Sequence, residues 1–268
     1  MVCYDVQSIP YPGGCAMAKP AVILIGADKG GVGKTTVARA LLDYFGARHT
    51  PTRAFDTEWP RGTLKRFHPD VTEVVDVTSV SDQMKIFDTV GSAEAKVTVI
   101  DVRAGLLSST LQALSDIGFI ESAKTGQITF AVFHILGPSI ASLEEIAETA
   151  RFVGDANHFL VKNHINETSF FEWDPAIYKS YFKRIKDAQE ITIPKLNEMT
   201  CEQVEVAGVP YVSFVANKNA KGETANYSFV LRGYVRHWLG QVWREFDRVK
   251  LVDLVSPKPE KNIRQVAG

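Results

Sequence analysis

The sequence predicts a single α/β domain: a mostly parallel, twisted sheet with helices on both faces. Three observations carry this. From Ala21 to Lys250, short apolar runs alternate with helix-length amphipathic stretches, and strands separated by helices close into right-handed βαβ crossovers. The first apolar run leads directly into a glycine-rich turn and then a helical stretch. No internal repeat and no Gly/Ser linker interrupts the chain, so 18–252 is read as one domain.

The elements follow in order. "AVILIG" (21–26) is apolar enough to be a buried strand, Val32–Phe45 is a helix and "TRAFD" (52–56) a second strand. "VTEVVDV" (71–77) is a short third strand, followed by a helix over Ser79–Val90 and a buried strand in "KVTVID" (96–101). Leu106–Ser122 reads as one helix, "ITFAVFHIL" (128–136) as a strand and Ile140–Phe152 as an acidic amphipathic helix. "HFLVKN" (158–163) is a strand, Tyr178–Gln189 a helix, "EITIP" (190–194) a strand and Leu196–Ala207 a helix. "VPYVSF" (209–214) reads as a last short strand, before a long helix over Tyr227–Lys250. Residues 1–17 read as a disordered extension ahead of Met17, because "YPGG" is turn chemistry without periodicity; the alternative is an arm packed on the surface. Pro257 and Pro259 make 253–268 a flexible tail.

Composition narrows the partners. The chain of 268 residues is 45% hydrophobic and 23% charged, with a net charge of −1, so contact with nucleic acid or an acidic membrane needs a local patch. Cys3, Cys15 and Cys201 lack metal or disulfide spacing, and the six histidines lack ligand spacing. No apolar run approaches the roughly 18 residues that span a bilayer. A reduced, cytoplasmic setting without integral membrane contact fits these features.

The informative stretch is "GADKGGVGKTTV" (26–37). A buried strand, a glycine turn and a helix are the context of a phosphate-binding P-loop. Backbone N–H groups through Gly30, Gly31, Val32 and Gly33 can curl around an anion, and the helix start adds its positive dipole end. Lys34 would reach the β- and γ-phosphates, Thr35 would offer its hydroxyl to Mg²⁺, and Thr36 would bond the α-phosphate. A plain glycine turn with a chance Lys-Thr is the bland alternative. G-x-G-x-x-G is not present, so a dinucleotide site is not indicated.

Asp28 stands where the usual G-x-x-x-x-G-K-[ST] pattern has its first glycine, and Lys29 follows it. "KGGVGKTT" resembles the deviant Walker A of the MinD/ParA family of P-loop ATPases, in the class that includes the nitrogenase iron protein and the arsenical pump ATPase. The resemblance implies that Lys29 crosses a dimer interface to the phosphates of the other subunit. Its alternative is a solvated loop lysine.

Two strand ends carry acids: Asp56 and Glu58 in "AFDTEWPRGTL", and Asp101 in "VTVIDVRAG". Mg·ATP chemistry needs carboxylates at such ends. By resemblance, Asp56 helps hold Mg²⁺ through water, Glu58 positions the attacking water, Asp101 is the Walker B aspartate and Gly105 the switch glycine that meets the γ-phosphate. The chain departs from the family at Glu58, an aspartate there, and at Arg103, usually proline. An aspartate after a strand is, taken alone, most often a helix cap. Asn163 ends its strand where the family's asparagine bonds adenine, with a loop cap as the alternative. "ITIPKL" and "VEVAGVPY" resemble the segment whose backbone lies beside the base, which makes Pro194 and Lys195 candidates for the adenine site. "FDTEWPRGTLKRF" is similar to ParA-like ATPases of conjugative and mobilisable plasmids.

Arg232, Arg236, Arg244 and Arg248 recur at multiples of four on the last helix, either as a DNA stripe or as a solvated face. Trp238, Trp243 and Phe246 read as core, and the aromatic stretch at 170–182 as core or a partner-binding lid. The expected function is a Mg²⁺-dependent, slow ATPase (ATP to ADP) that switches a homodimer on and off. Its output would be binding of DNA or a partner protein in partitioning, positioning or transfer. The alternatives are a small-molecule ligase of the dethiobiotin/cobyrinic acid synthetase class, or a nucleotide-binding module with little hydrolysis.

Overall fold

All six residues of the central strand β1 (Ala21–Gly26) are buried. Successive strand side chains point to opposite faces, and here both faces are covered. Ala21, Ile23 and Ile25 join a cluster with Val37, Leu41 and Phe45, while Val22 and Leu24 join Leu107, Leu111 and Ile120. A strand enclosed this way shows a continuous apolar run rather than alternation. The computed structural model describes residues 19–90, 95–137, 140–153, 157–165, 170, 176, 179–180 and 188–255.

The other strands are β2 (Thr52–Asp56), β3 (Thr72–Val74), β4 (Val97–Asp101), β5 (Thr129–Leu136), β6 (Asn157–Asn163) and β7 (Gln189–Ile193). They form one seven-stranded sheet in the order β3-β2-β4-β1-β5-β6-β7. Every pairing in it is parallel. The helices are α1 (Lys34–Ala47), α2 (Thr63–Phe67), α3 (Val80–Phe87), α4 (Leu107–Asp116), α5 (Phe119–Lys124), α6 (Ile140–Val153), α7 (Glu198–Ala207), α8 (Tyr211–Val215) and α9 (Phe229–Arg248). One face of the sheet is covered by α1 and α9, the other by α4 and α5.

Two expectations are corrected. "VPYVSF" is the helix α8, not a strand: its buried residues Tyr211 and Phe214 are three apart, a helical spacing, and Pro210 stands at its N-cap. The helix expected over Leu106–Ser122 is two helices, because Gly118 takes φ +75° and turns the chain between α4 and α5. The extension at 1–17, the residues past Val255 and most of 170–189 lie outside the described residues. After α9 a 3₁₀ turn covers Leu251–Leu254, and Leu251 and Val255 pack on the core shared with α1 and α9. Among the described residues no helix is long and apolar enough to cross a membrane.

Strand register places the site. Ile25 and Asp56 both pair with Asp101, so the loops leaving β1, β2 and β4 start at one level. That is the carboxyl end of a parallel sheet, where ligands of such folds bind.

Candidate phosphate-binding site

Between β1 and α1 the glycine loop is held from below by β6. Asn163, buried at the end of that strand, donates from Nδ2 to the carbonyls of Val32 (3.0 Å) and Gly33 (3.4 Å). Gly33 has φ +85°, and a Cβ there would lie 2.1 Å from Asn163 Nδ2. Gly33 is also the N-cap of α1 and gives no side-chain cap, so no side chain competes with an anion for the first-turn amides. Replacing Gly33 with Ala should destabilise the fold by about 1–2 kcal/mol through the left-handed backbone alone. The collision with Asn163 adds to this, and thermal unfolding would check it.

Lys34 is buried, and its Nζ donates to the Lys29 carbonyl at 3.1 Å. Burial lowers its pKa, opposed by the charges of Asp101, Glu145, Asp28 and Glu58. The Thr35 hydroxyl donates to Asp101 Oδ2 at 2.7 Å. Asp101 is buried at the end of β4. Burial, with some help from the charges of Asp56 and Glu58, pushes its carboxyl up to about 7, against the Thr35 hydrogen bond.

Asp56 accepts the backbone N–H of Glu58 (2.9 Å), Leu64 (2.6 Å) and Lys65 (3.2 Å). It caps α2 and also lines the cleft. Burial raises its pKa, opposed by these three amides. Glu58 lies in the turn after β2, and its Oε2 accepts the Thr63 hydroxyl. The turn back to Thr63 needs Gly62: φ is +70° and a Cβ would fall 2.4 Å from Val74 Cγ2.

Gly31, Gly33, Lys34, Thr35 and Thr36 of the loop face Asp56, Glu58 and Asp101 across one cleft of about 360 Å³. Gly30, Val32 and Gly105 do not line it, though each is next in sequence to a residue that does. Gly105 is exposed at φ +79°, next to Ala104, which does line the cleft. Lys29 does not line it either. It is exposed, and its Cδ is 3.1 Å from where a Gly137 Cβ would stand, at the end of β5.

No family model matches the chain, and no curated protein matches it in sequence. Solved structures do resemble it. The septum site-determining protein MinD from Pyrococcus horikoshii, complexed with Mg-ADP, aligns at a TM-score of 0.50 and 14% identity, over 89% of this chain and 99% of that one. The chain has the MinD fold. At a TM-score of 0.46 and 14% identity, the MinD cell division protein of Aquifex aeolicus aligns over 82% of this chain and 97% of its own. A nucleotide-binding protein of Archaeoglobus fulgidus in complex with ADP has the same score and identity, over 71% and 87%.

This MinD-fold chain carries a second cleft of about 470 Å³, lined by Asn163, Pro194, Leu196, Tyr211 and Trp238. Thr36 and Ile165 line both clefts, so the two meet at the start of α1. The Pro194 carbonyl is engaged by Trp238 Nε1 at 2.7 Å. Lys195 pairs with Glu198 at 2.9 Å and does not line the cleft; its neighbour Leu196 does. Sequence reasoning missed Thr63, Ile165, Leu196 and Tyr211 as lining residues. Thr63 had a local signal, the Gly-Thr pair at the end of the acidic turn. Tyr211 was obscured because its helix reads as a strand.

Among the described residues no group of three or more His, Cys, Asp and Glu side chains converges as metal ligands. On α9 the expected arginine stripe divides. Arg248 pairs with Glu245 (2.8 Å) and donates to the Glu190 carbonyl (2.6 Å), and Arg232 donates to the Val215 carbonyl (3.4 Å). Arg236 and Arg244 are exposed and, among the described residues, make no hydrogen bond or ion pair. Trp238 and Phe246 are buried, and Trp243 packs half-buried against the same cluster.

Proposed function

We propose that this chain is a Mg²⁺-dependent ATPase of the MinD/ParA kind, in which bound nucleotide controls the pairing of two copies. One observation carries the reading: a buried lysine, a hydroxyl and three carboxylates from two strand ends face one cleft at the mouth of a glycine loop. The loop amides and Lys34 bind the phosphates. Thr36 leads from the phosphate cleft to the second cleft, whose volume is large enough for a base and whose lining includes Glu198, Glu202 and Glu205; Asn163 then shapes the loop while bordering that base.

The donors suit Mg²⁺. Thr35 Oγ1 and Asp101 Oδ2 are hard oxygens 2.7 Å apart, and Mg²⁺ typically takes one or two protein oxygens with water and phosphate rather than a full protein cage. Burial holds the Asp101 carboxyl up to about 7, and a neighbouring dication would favour its charged form. When bound, Mg²⁺ would neutralise charge on the transferred phosphoryl group. Asp56 orders the turn that carries Glu58, and Glu58 orients water. The Mg-ADP in the Pyrococcus horikoshii structure of the same fold supports both ligands.

Lys29 is the residue assigned to the partner copy's phosphates. Its exposed position outside the cleft, along Gly137, supports that assignment. Lys29→Ala should then abolish ATP-dependent dimerisation in light scattering while changing monomer affinity for ADP by less than about threefold, since rim charges contribute little to binding within one subunit. Dimerisation equal to that of the unaltered protein would remove the switch from the reading. The output is DNA or protein binding, as in partitioning, positioning or plasmid transfer. A Glu58→Gln protein loaded with ATP is the bait that would capture it.

A further inference from the structure

We infer that Asp28 and Thr57 are positioning residues that pin the two ends of the loop carrying Gly105. The inference rests on the ATPase reading for the role of Gly105 as the group that meets the γ-phosphate. The pins themselves are geometric. At the near end, the Arg103 N–H donates to Thr57 Oγ1 at 2.8 Å, and the Thr57 N–H donates to the Asp101 carbonyl at 3.1 Å. Thr57 is buried. At the far end, Asp28 Oδ1 accepts the Leu107 N–H at 2.9 Å and Oδ2 accepts the Ser108 hydroxyl at 2.9 Å.

The far pin is a helix cap supplied from a distance. Leu106, the N-cap of α4, has no side chain that can cap it. The orphan amides of a helix start need an acceptor. The phosphate loop provides one, 79 positions earlier in the chain. Asp28 is itself fixed, because its N–H donates to Glu145 Oε2 on α6 at 3.2 Å. Leu107 also packs so closely on Gly26 that a Cβ there would lie 2.5 Å from Leu107 Cδ1. The cap and this packing tie the start of α4 to the end of β1 and the loop that follows.

Between the pins, Arg103, Ala104 and Gly105 are exposed, and Gly105 holds φ +79°. This explains two departures from the usual pattern together. A proline at 103 would fix its own φ but has no N–H to donate. With Arg103, the amide is present and the Thr57 hydroxyl restrains it instead. An aspartate at 28, where a glycine is usual, supplies the cap that α4 lacks. The loop that senses phosphate is thereby short and tied to both neighbouring loops, so Gly105 is presented at a defined height above the cleft.

The test uses Asp28→Ala, Asp28→Asn, Thr57→Val and Thr57→Ser in the full chain. Single-turnover ATP hydrolysis, ADP affinity and amide hydrogen exchange are measured for each. Asp28→Ala and Thr57→Val should slow hydrolysis about tenfold or more, since misplacing a positioned group costs rate, with ADP affinity changed by less than about threefold. Asn and Ser keep an acceptor and should restore most of the rate. Exchange should rise about tenfold at Leu107 and Ser108 in Asp28→Ala, and at Arg103 in Thr57→Val, with or without nucleotide. If exchange at these amides is unchanged, or affinity falls in step with hydrolysis, the inference is wrong. If the unaltered protein does not hydrolyse ATP, the ATPase reading fails, and the exchange data still decide the pins.

Discussion

Asp101→Asn should cut turnover sharply and, in the same molecule, make the nucleotide-free fold more stable at pH 8. The native carboxyl keeps its proton up to about 7 because it is buried, whereas an unfolded aspartate releases it near ~3.9. Between these values the native state binds more protons than the unfolded state, so this group's contribution to stability falls as pH rises. It is fully present below the unfolded value and lost as pH passes the native one. Asparagine carries no charge to bury, and its amide oxygen still accepts the Thr35 hydroxyl. The stability difference between variant and parent should therefore be near zero at pH 4 and grow through pH 8.

The comparison isolates one residue. Asp43, raised to about 7 chiefly by burial, shifts stability in the same direction in both proteins. Buried His68 and His158, lowered to about 3, act oppositely below their unfolded value, and again equally in both. Hydrolysis should fall by roughly 100-fold or more, the scale seen when one transition-state electrostatic group is removed. Thermal melts at pH 5 and pH 8, with single-turnover rates, give both readings. A variant less stable than its parent at pH 8 would show that Asp101 is held charged in the native fold.

Lys34→Met should remove nucleotide binding. Truncating one member of a buried charge pair costs about 2–5 kcal/mol, which is roughly 30-fold to several-thousand-fold in affinity. Lys34 is buried at the base of the cleft, with its Nζ already turned to the loop carbonyl of Lys29. Isothermal titration with ATP and ADP should show the loss in the monomer, before any pairing of subunits. That separates it from Lys29→Ala, whose effect is confined to the paired state. ADP affinity within threefold of the parent would remove Lys34 from the phosphate site.

Much of this site is legible in one dimension because its parts are local. A P-loop is a strand, a turn and a helix within a dozen residues, and its glycines are required by backbone geometry there. Asp56 and Asp101 stand at the ends of apolar runs, and parallel pairing then brings them to one level. The dual role of Asp56, as cap of α2 and as wall of the cleft, is less legible, because the capping amides belong to a turn closed by Gly62. "VPYVSF" misleads because β-branched and aromatic residues favour strands only when a neighbouring strand is available. Tyr211 instead packs within the core cluster that α1 and α9 build.

The sequence by itself determined the α/β fold class, the glycine loop between β1 and α1 and the acids that face it, since each is written in periodicity and spacing over short spans. Tertiary structure decided that the second cleft joins the glycine-loop cleft at Thr36, that Lys29 lies outside both, and that Asp28 caps a helix 79 positions away. The physical reason is range. A hydrogen bond or a cleft between distant segments depends on how the sheet orders its strands, and that order is fixed by burial of both faces at once, not by any one stretch of residues.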